Sequence, residues 1–192
     1  MNEEGRTGGG GNGAGSTGIR IRRAEREDCE AILGIYNEAV LTTTASYDMA
    51  PRTLEHRLAW FDDHVRNDYA IFVAVEEGSG QVVGWSSLSR FHDRFGYRFS
   101  CENSVYIAAS HRGRGIGGLL LAPLIEAARA RQLHAIIAAI DASNEVSLRL
   151  HARFGFVKVG QFREVGHKFG RWLDVAYLEL LLDTPDDPNI GL

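Results

Sequence analysis

The sequence of 192 residues lacks the features that would place it in a specialised class of protein. No apolar run approaches the roughly 20 residues that a helix needs to cross a bilayer, so we expect no membrane partner. Two cysteines, Cys29 and Cys101, are too few for a disulfide framework, which favours a reducing compartment, the cytoplasm. The N-terminus has no hydrophobic signal core, which argues against secretion. A formal net charge of −4 argues against a general nucleic-acid binder.

The seven histidines are scattered without the spacing of metal ligands, so we predict no bound metal. What is present is typical of a globular protein, with 44% hydrophobic and 24% charged residues. Residues 1–18 are mostly small and polar and predict a flexible, disordered glycine-rich tail, and residues 184–192 predict a flexible C-terminal tail. The segment between them, 19–183, is predicted to be one domain.

Hydrophobic periodicity in this segment predicts elements in the order β-α-α-β-β-β-α-β-α-β-β. The predicted strands span 19–22, 69–75, 82–88, 100–108, 135–140, 157–162 and 175–182. The predicted helices span 28–41, 53–65, 119–132 and 144–154. Antiparallel hairpins followed by one βαβ crossover predict a mixed α/β sheet rather than a doubly wound parallel one.

One glycine-rich segment, Arg112-Gly113-Arg114-Gly115-Ile116-Gly117-Gly118, separates a predicted strand from a predicted helix. A glycine-rich turn entering a helix presents unpaired N–H groups at the positive end of the helix dipole. Such a turn is an anion site, most naturally for phosphate, and the two arginines add positive charge. The segment therefore predicts a phosphorylated ligand.

Two familiar phosphate-binding loops are alternative interpretations of this segment. A P-loop needs a lysine and a hydroxyl after its last glycine, but Gly118 and Leu119 follow Gly117, which excludes it. A dinucleotide fingerprint, Gly-x-G-x-x-Gly, is satisfied by the loop, with Asp141 about 20 residues further on. Against it, residues 109–112 stand where that fingerprint needs a tight turn, and repeated βαβ units are missing.

The third interpretation is a pyrophosphate grip of the form Arg-x-x-Gly-x-Gly, filled by Arg112, Gly115 and Gly117. This pattern resembles the acyl-CoA-binding motif of the GNAT superfamily of N-acetyltransferases. Five segments also resemble its phosphinothricin and methionine sulfoximine acetyltransferase branch. They are Tyr36-Asn37-Glu38-Ala39-Val40, Glu102-x-Ser104-Val105-Tyr106, His111-Arg112-Gly113-Arg114-Gly115, Leu150-His151 and Lys168-x-Gly170-x-Trp172-x-Asp174-Val175.

The resemblance spans roughly residues 19–182 and implies both a fold and an activity. The fold would be GNAT-like, a central, mostly antiparallel twisted sheet flanked by helices. The activity would be transfer of an acetyl group from acetyl-CoA to the amine of a small amino acid or analogue, of the phosphinothricin or methionine sulfoximine type. The resembled branch is usually dimeric, so a homodimer is also implied.

The resemblance assigns Glu102 as the general base that takes a proton from the acceptor amine. His151 is the expected partner on the sulfur side. It shares one predicted helix face with two other polar residues, Asn144 and Ser147. Cys101 points to the strand face opposite Glu102 and is expected to be a buried structural thiol.

The remaining expected site residues fall into two groups. The predicted cofactor-binding residues are Val105, Tyr106, Ile107, Arg112, Gly113, Arg114, Gly115, Ile116, Gly117, Asn144 and Ser147. Within this group, a backbone N–H near Tyr106 or Ile107 is expected to polarise the thioester carbonyl. The predicted substrate-binding residues are Arg94, Tyr97 and Arg98, of which an arginine would hold an acid group by bidentate pairing.

Three other functions remain open at this point. The acceptor could be a different amine, such as a polyamine, an aminoglycoside or a protein N-terminus. The protein could be a non-catalytic regulator that binds acyl-CoA, although the presence of both Glu102 and His151 argues against this. A dinucleotide-binding oxidoreductase is the third alternative.

Overall fold

The computed structural model describes residues 18–184. Within them, four α-helices are α1 (Cys29–Thr42), α2 (Leu54–Arg66), α3 (Ile116–Ala130) and α4 (Glu145–Arg153). The strands are β1 (Ile19–Arg23), β2 (Ile71–Glu76), β3 (Val82–Arg90), β4 (Ser100–Ile107), β5 (Ala135–Asp141), β6 (Val157–Lys168) and β7 (Arg171–Leu181). The predicted tails lie outside the described residues, apart from Gly18 and Thr184. No helix between residues 18 and 184 is long and apolar enough to cross a membrane.

The seven strands form one sheet in the order β1-β2-β3-β4-β5-β7-β6. All neighbours are antiparallel except β4 and β5, which are parallel and joined through α3. The predicted order of elements and the predicted mixed, mostly antiparallel sheet are confirmed. A sheet with a single parallel pair excludes the repeated βαβ units of a dinucleotide-binding fold.

Different helices cover the two faces of the sheet because side chains alternate along each strand. Helices α1 and α2 pack on one face, where their apolar residues meet Val73 and Val75 of β2. Helix α3 packs on the other face, where Leu120 meets Ala74 of the same strand. Helix α4 lies on this second face too. Each face of the sheet therefore has its own apolar layer.

Helix α3 begins at Ile116, three residues before the predicted start. Glycine is an unfavourable helix residue, so Gly117 and Gly118 argued for a loop. Close packing against α4 outweighs that preference. The glycine is needed for this close approach, because a Cβ atom at Gly117 would lie only 2.9 Å from Cδ2 of Leu150. The helix therefore starts directly at the glycine loop.

The β6–β7 hairpin is much longer than the predicted strands 157–162 and 175–182. Its turn is only two residues, Phe169 and Gly170, which both have positive φ angles, 50° and 73°. Such a turn matches the twist of a tight hairpin. Gly166 argued for a loop but lies inside β6, where a Cβ atom would lie 2.6 Å from Cε1 of Tyr47. The absence of a side chain at Gly166 leaves room for the Tyr47 ring.

Candidate active site

A gap opens inside the sheet between β4 and β5. Their pairing covers only 100–102 with 135–137, although β4 continues to Ile107 and β5 to Asp141. The far sides of these strands are hydrogen-bonded to β3 and β7. The facing edges beyond residue 102 are therefore open to an extended ligand, which could pair with the backbone as an added strand.

Only alternate residues of β4 direct their backbone groups into this gap. Ala108 donates its N–H to the carbonyl of Val83 on β3, with 3.0 Å between the atoms. Because antiparallel pairing alternates, Tyr106 also bonds to β3, and Val105 and Ile107 face the gap. This corrects the expectation for Tyr106, whose N–H is directed away from the gap. The N–H of Ile107 remains available.

The glycine loop stands at the end of β4. Gly113 and Gly115 have φ angles of 79° and 78°, a left-handed conformation that glycine adopts without strain. Among the described residues, the N–H groups of 113–117 find no hydrogen-bond acceptor. They gather at the N-terminus of α3, where the helix dipole favours negative charge. The loop is an open cradle for an anion such as a phosphate.

The charged side chains around the cradle are partly engaged within the protein. Arg112 donates from Nε to the carbonyl oxygen of Ile107 at 3.2 Å, which fixes the loop to the end of β4. Arg114 lies 3.6 Å from Glu76, whose pKa is lowered by hydrogen bonds from Ser79 and His111. The ligand-directed part of this segment is therefore mainly its backbone, since the side chain of Ile116 is buried in the core.

Glu102 lies at the point where the gap begins. Its side chain is half-buried on the face of β4 that carries Tyr106. Between residues 18 and 184, no group forms a hydrogen bond or ion pair with its carboxylate, and burial raises its pKa. Cys101 points to the opposite face, is fully buried, and has its pKa raised to about 12 by burial. A carboxylate without an internal partner can accept a proton from a ligand.

His151 is engaged at both ring nitrogens. Nδ1 lies 2.8 Å from the carbonyl oxygen of Ser147 and must donate to it. Nε2 therefore accepts from Nδ2 of Asn103 at 2.9 Å. The ring is only 3% exposed, and burial lowers its pKa. In this arrangement neither ring nitrogen is free to donate a proton to a ligand. The predicted role on the sulfur side would need such a free donor.

The structure does not bring the two predicted catalytic side chains together. Asn103, the partner of His151, points to the face of β4 opposite Glu102. The Oδ1 atom of Asn103 is buried without a hydrogen-bond partner in the described part of the chain. Orphaned buried acceptors are costly and often mark a site completed by a ligand.

Asn144 and Ser147 do share one face with His151, as predicted. The side chain of Asn144 caps α4, since its Oδ1 accepts the N–H of Ser147 at 3.1 Å. The hydroxyl of Ser147 lies 3.4 Å from Nδ1 of His151. The polar face of α4 is thus internally linked at this end.

The three predicted substrate-binding residues lie in or next to a short turn at Phe95–Tyr97. Arg94 and Tyr97 are exposed. Arg98 is half-buried, lies over the rings of Phe95 and Phe99 at 4.2 and 4.4 Å, and donates to the carbonyl of Phe95. Its guanidinium retains further donors, so it can still bind an anion.

Sequence reasoning missed Arg57 on α2. Its side chain is 3% exposed, and its guanidinium carbon lies 4.6 Å from the ring centre of Tyr36 and 4.5 Å from that of Trp60. Cation–π attraction partly offsets the cost of burying this charge, and burial lowers its pKa. The side chain supports the α1–α2 layer beneath the site. Only the tertiary packing of three separate elements reveals it.

No group of three or more metal-ligating side chains is assembled within the part of the chain that the structure describes.

Comparison with known proteins connects this geometry to an enzyme family. The pattern of the acetyltransferase (GNAT) family matches residues 23–156. The chain is 45% identical over 163 residues to an L-methionine sulfoximine/L-methionine sulfone acetyltransferase from Pseudomonas aeruginosa, covering 85% of this chain and 94% of that protein. It is 40% identical over 166 residues to a phosphinothricin N-acetyltransferase from Streptomyces coelicolor, covering 86% and 97%. A solved phosphinothricin acetyltransferase from Sinorhizobium meliloti, in complex with acetyl-CoA, superimposes with a TM-score of 0.85 at 33% identity, covering 90% of this chain and 95% of that one.

The locked, neutral state of His151 predicts a pH-dependent contribution to stability. Because its pKa is lowered in the folded protein, the unfolded chain binds more protons below about pH 6.5. The contribution is therefore complete above that pH and declines as the pH falls. We expect His151→Gln to cost about 1–3 kcal/mol at pH 8 and less at pH 5, measured by urea denaturation. The exposed His56→Gln is the control and should match wild type at pH 8. An equal cost of His151→Gln at pH 8 and pH 5 would contradict the assignment.

Proposed function

The chain belongs to the acetyltransferase (GNAT) family, and from that premise we propose that it acetylates the amino group of a small amino acid or amino-acid analogue. It is an acetyl-CoA-dependent N-acetyltransferase. The observation that carries the proposal for the acceptor is the unpartnered carboxylate of Glu102 at the mouth of the β4–β5 gap. Relatives that act on methionine sulfoximine and phosphinothricin support the substrate class.

The residues of this chain fit coenzyme A along its length. Five consecutive N–H groups, 113–117, can bind the pyrophosphate, and Gly113 and Gly115 keep the cradle open. Val105 and Ile107 present backbone groups to the pantetheine arm in the gap. When bound, acetyl-CoA supplies the acetyl group as an activated thioester. The N–H of Ile107 is the donor best directed at a carbonyl in the gap.

Glu102 is the proposed general base for the acceptor amine. An amine with a reference pKa of about 8 or above is mostly protonated at neutral pH and cannot attack a carbonyl in that form. The carboxylate takes this proton, directly or through a water molecule. Burial raises the pKa of Glu102, which makes it a stronger base than an exposed carboxylate.

His151 has a supporting role in this proposal. Its ring holds the Asn103 side chain in one orientation, with Nδ2 used and Oδ1 left as a buried acceptor beside the gap. That oxygen can receive an N–H group of the pantetheine arm. His151 is then a positioning residue for the cofactor-binding strand, and the proton for the departing thiolate comes from elsewhere, such as solvent.

Arg98 and Arg94 are proposed to hold the acid group of the acceptor. Both precede β4 on the segment that leads to Glu102, and a guanidinium can pair with a carboxylate through two parallel hydrogen bonds. Tyr97 lies between them in sequence and is exposed. This arrangement favours amino acids over polyamines, whose positive charges these arginines would repel.

The acceptor class can be tested by measuring thiol release from acetyl-CoA. We expect turnover with phosphinothricin, methionine sulfoximine or methionine sulfone, and none with spermidine or kanamycin. The acid group of the first three pairs with an arginine, whereas the other two compounds are cationic. Release with a polyamine alone would contradict the substrate class, and an absence of turnover with every amine would favour an acyl-CoA-binding regulator.

Removal of the Glu102 charge should affect the chemical step. We expect Glu102→Gln to lower kcat by about 10²–10⁴-fold with little change in the KM for acetyl-CoA, because the cradle is untouched. The wild-type pH profile should show an acidic limb with an apparent pKa above that of an ordinary carboxyl group. Glu126→Gln, an exposed carboxylate on α3, should behave as wild type. A Glu102→Gln variant with normal kcat would eliminate this residue as the base.

We also propose a homodimer and a cytoplasmic location. Both cysteines are free and buried, which suits a reducing compartment. The dimer is supported by β6, a 12-residue edge strand, and by exposed apolar side chains on the β6–β7 hairpin. They are Val157, Val159, Phe162, Val165 and Trp172. Long apolar edges are normally covered by a partner.

The dimer proposal predicts a specific effect of charge on this edge. Light scattering should give the mass of two chains for the wild type, and Phe162→Glu should shift the population towards monomer. Val146→Glu, on the exposed side of α4, is the matched control and should leave the mass unchanged. A monomeric wild type at micromolar concentration would refute the proposal.

A further inference from the structure

Residues 43–48, here named the clamp loop, lie over the β4–β5 gap. On the β4 side, the hydroxyl of Tyr106 donates to the carbonyl of Ala45 at 3.0 Å. On the β5 side, the Thr44 side chain lies near the carboxylate of Asp141. Burial tends to raise the pKa of Asp141, but Thr44, Ser143 and the positive charge of Arg171 together outweigh that effect. Since Tyr106 and Glu102 share one face of β4, the clamp loop is on the Glu102 side of the sheet.

The clamp loop is also held from α1. The hydroxyl of Tyr36 donates to a carboxylate oxygen of Asp48 at 2.6 Å and lies 3.0 Å from the hydroxyl oxygen of Ser46. Arg52 pairs with the same aspartate at 2.6 and 2.7 Å. The loop is therefore restrained at several points.

Lys168, at the end of β6, makes the contact that links this loop to the β6–β7 hairpin. Its Nζ donates to the carbonyl oxygen of Ser46 at 2.6 Å, across 122 positions of sequence. The side chain is 2% exposed and is among the largest fully buried side chains of the described chain. Burial lowers its pKa, and the negative charge of Asp48 opposes that effect.

Burying an ammonium group is energetically unfavourable. Removing its charge from water costs several kcal/mol unless partners replace the lost hydration. Among residues 18–184, Lys168 forms no ion pair within salt-bridge distance, and its hydrogen bond goes to the clamp loop. A methionine could fill the same volume without that cost. The hydrogen bond to the clamp loop accounts for an amino group at this position.

Lys168 also works together with Tyr47. The Tyr47 ring rests against Gly166 on β6, two residues before the lysine, where a side chain would collide with it. The hairpin thus contacts the clamp loop twice, once through a backbone carbonyl and once through an aromatic ring. Both contacts would be lost or weakened if the loop moved away from β6.

We propose that Lys168 is a positioning residue whose buried amino group fixes the clamp loop over the β4–β5 gap, where the loop forms one wall of the acceptor site. This inference rests on the proposed function, because it takes Glu102 to mark the place of the acceptor amine. The residue contributes to the fit of the acceptor and not to binding of coenzyme A. The phosphate cradle at 113–117 follows the end of β4 that is farther from Glu102.

The sequence contains only two lysines, so a matched control exists. Lys158, on the same strand, is exposed and hydrogen-bonded to Gln161. We expect Lys168→Met to raise the KM for the acceptor about 10–100-fold, since small misplacements of a binding group have effects of this size. The KM for acetyl-CoA should change by less than about twofold on the same argument. Lys168→Arg should recover part of the loss, and Lys158→Met should match wild type.

Amide hydrogen exchange provides a readout that is independent of the acceptor. In Lys168→Met, exchange at 43–48 should accelerate while exchange in α3 stays unchanged, with acetyl-CoA present or absent. If wild type acetylates no amino-acid analogue, the proposed function fails, yet this measurement still tests the clamp. A wild-type exchange pattern and a wild-type acceptor KM in Lys168→Met would overturn the inference. So would a uniform loss of protection, which indicates a merely structural role, and Lys168→Arg provides the same test if the methionine variant does not fold.

Discussion

The parallel pairing of β4 with β5 stops after three residue pairs, and the active site depends on that interruption. If pairing continued, the backbone groups of Val105 and Ile107 would be used within the sheet, and no ligand could enter. Because it stops, a row of donors and acceptors faces an open gap inside an otherwise continuous sheet. The gap begins at Glu102 and leads to the glycine loop, so a proton acceptor and an anion cradle stand at its two ends.

Side chains alternate along β4, so the two faces of the strand carry different polar groups beside the gap. Glu102 and Tyr106 face the α1–α2 layer, where the clamp loop lies, and Asn103 faces α4 and His151. In the proposed function, a side chain on one face acts on the acceptor, and a side chain on the other face positions the cofactor-binding strand. Because they lie on opposite sides of β4, the side chains of Glu102 and His151 do not meet. This separation also confines each buried polar group to one task.

Several parts of this arrangement could be predicted from the sequence. The order of strands and helices followed from hydrophobic periodicity, and the cradle followed from the glycine spacing in 112–118, because both are local properties. Predictions failed where distant residues decide the outcome. Gly166 and Gly117 suggested loops, but one admits the Tyr47 ring and the other admits α4. The choice between the N–H groups of Tyr106 and Ile107 stayed open because strand register cannot be read from one strand alone.

The sequence by itself determined the family, the fold class and the anion cradle, since these depend on periodicity, on backbone freedom at glycine and on motifs of consecutive residues. Only the tertiary structure decided which backbone groups face the gap, how His151 is protonated, and why Lys168 and Arg57 are buried. Each of these depends on partners from other elements, such as Asn103 for His151 and the Ser46 carbonyl for Lys168. The energy of a buried polar group is set by what lies within hydrogen-bond distance, and that is a property of the folded chain.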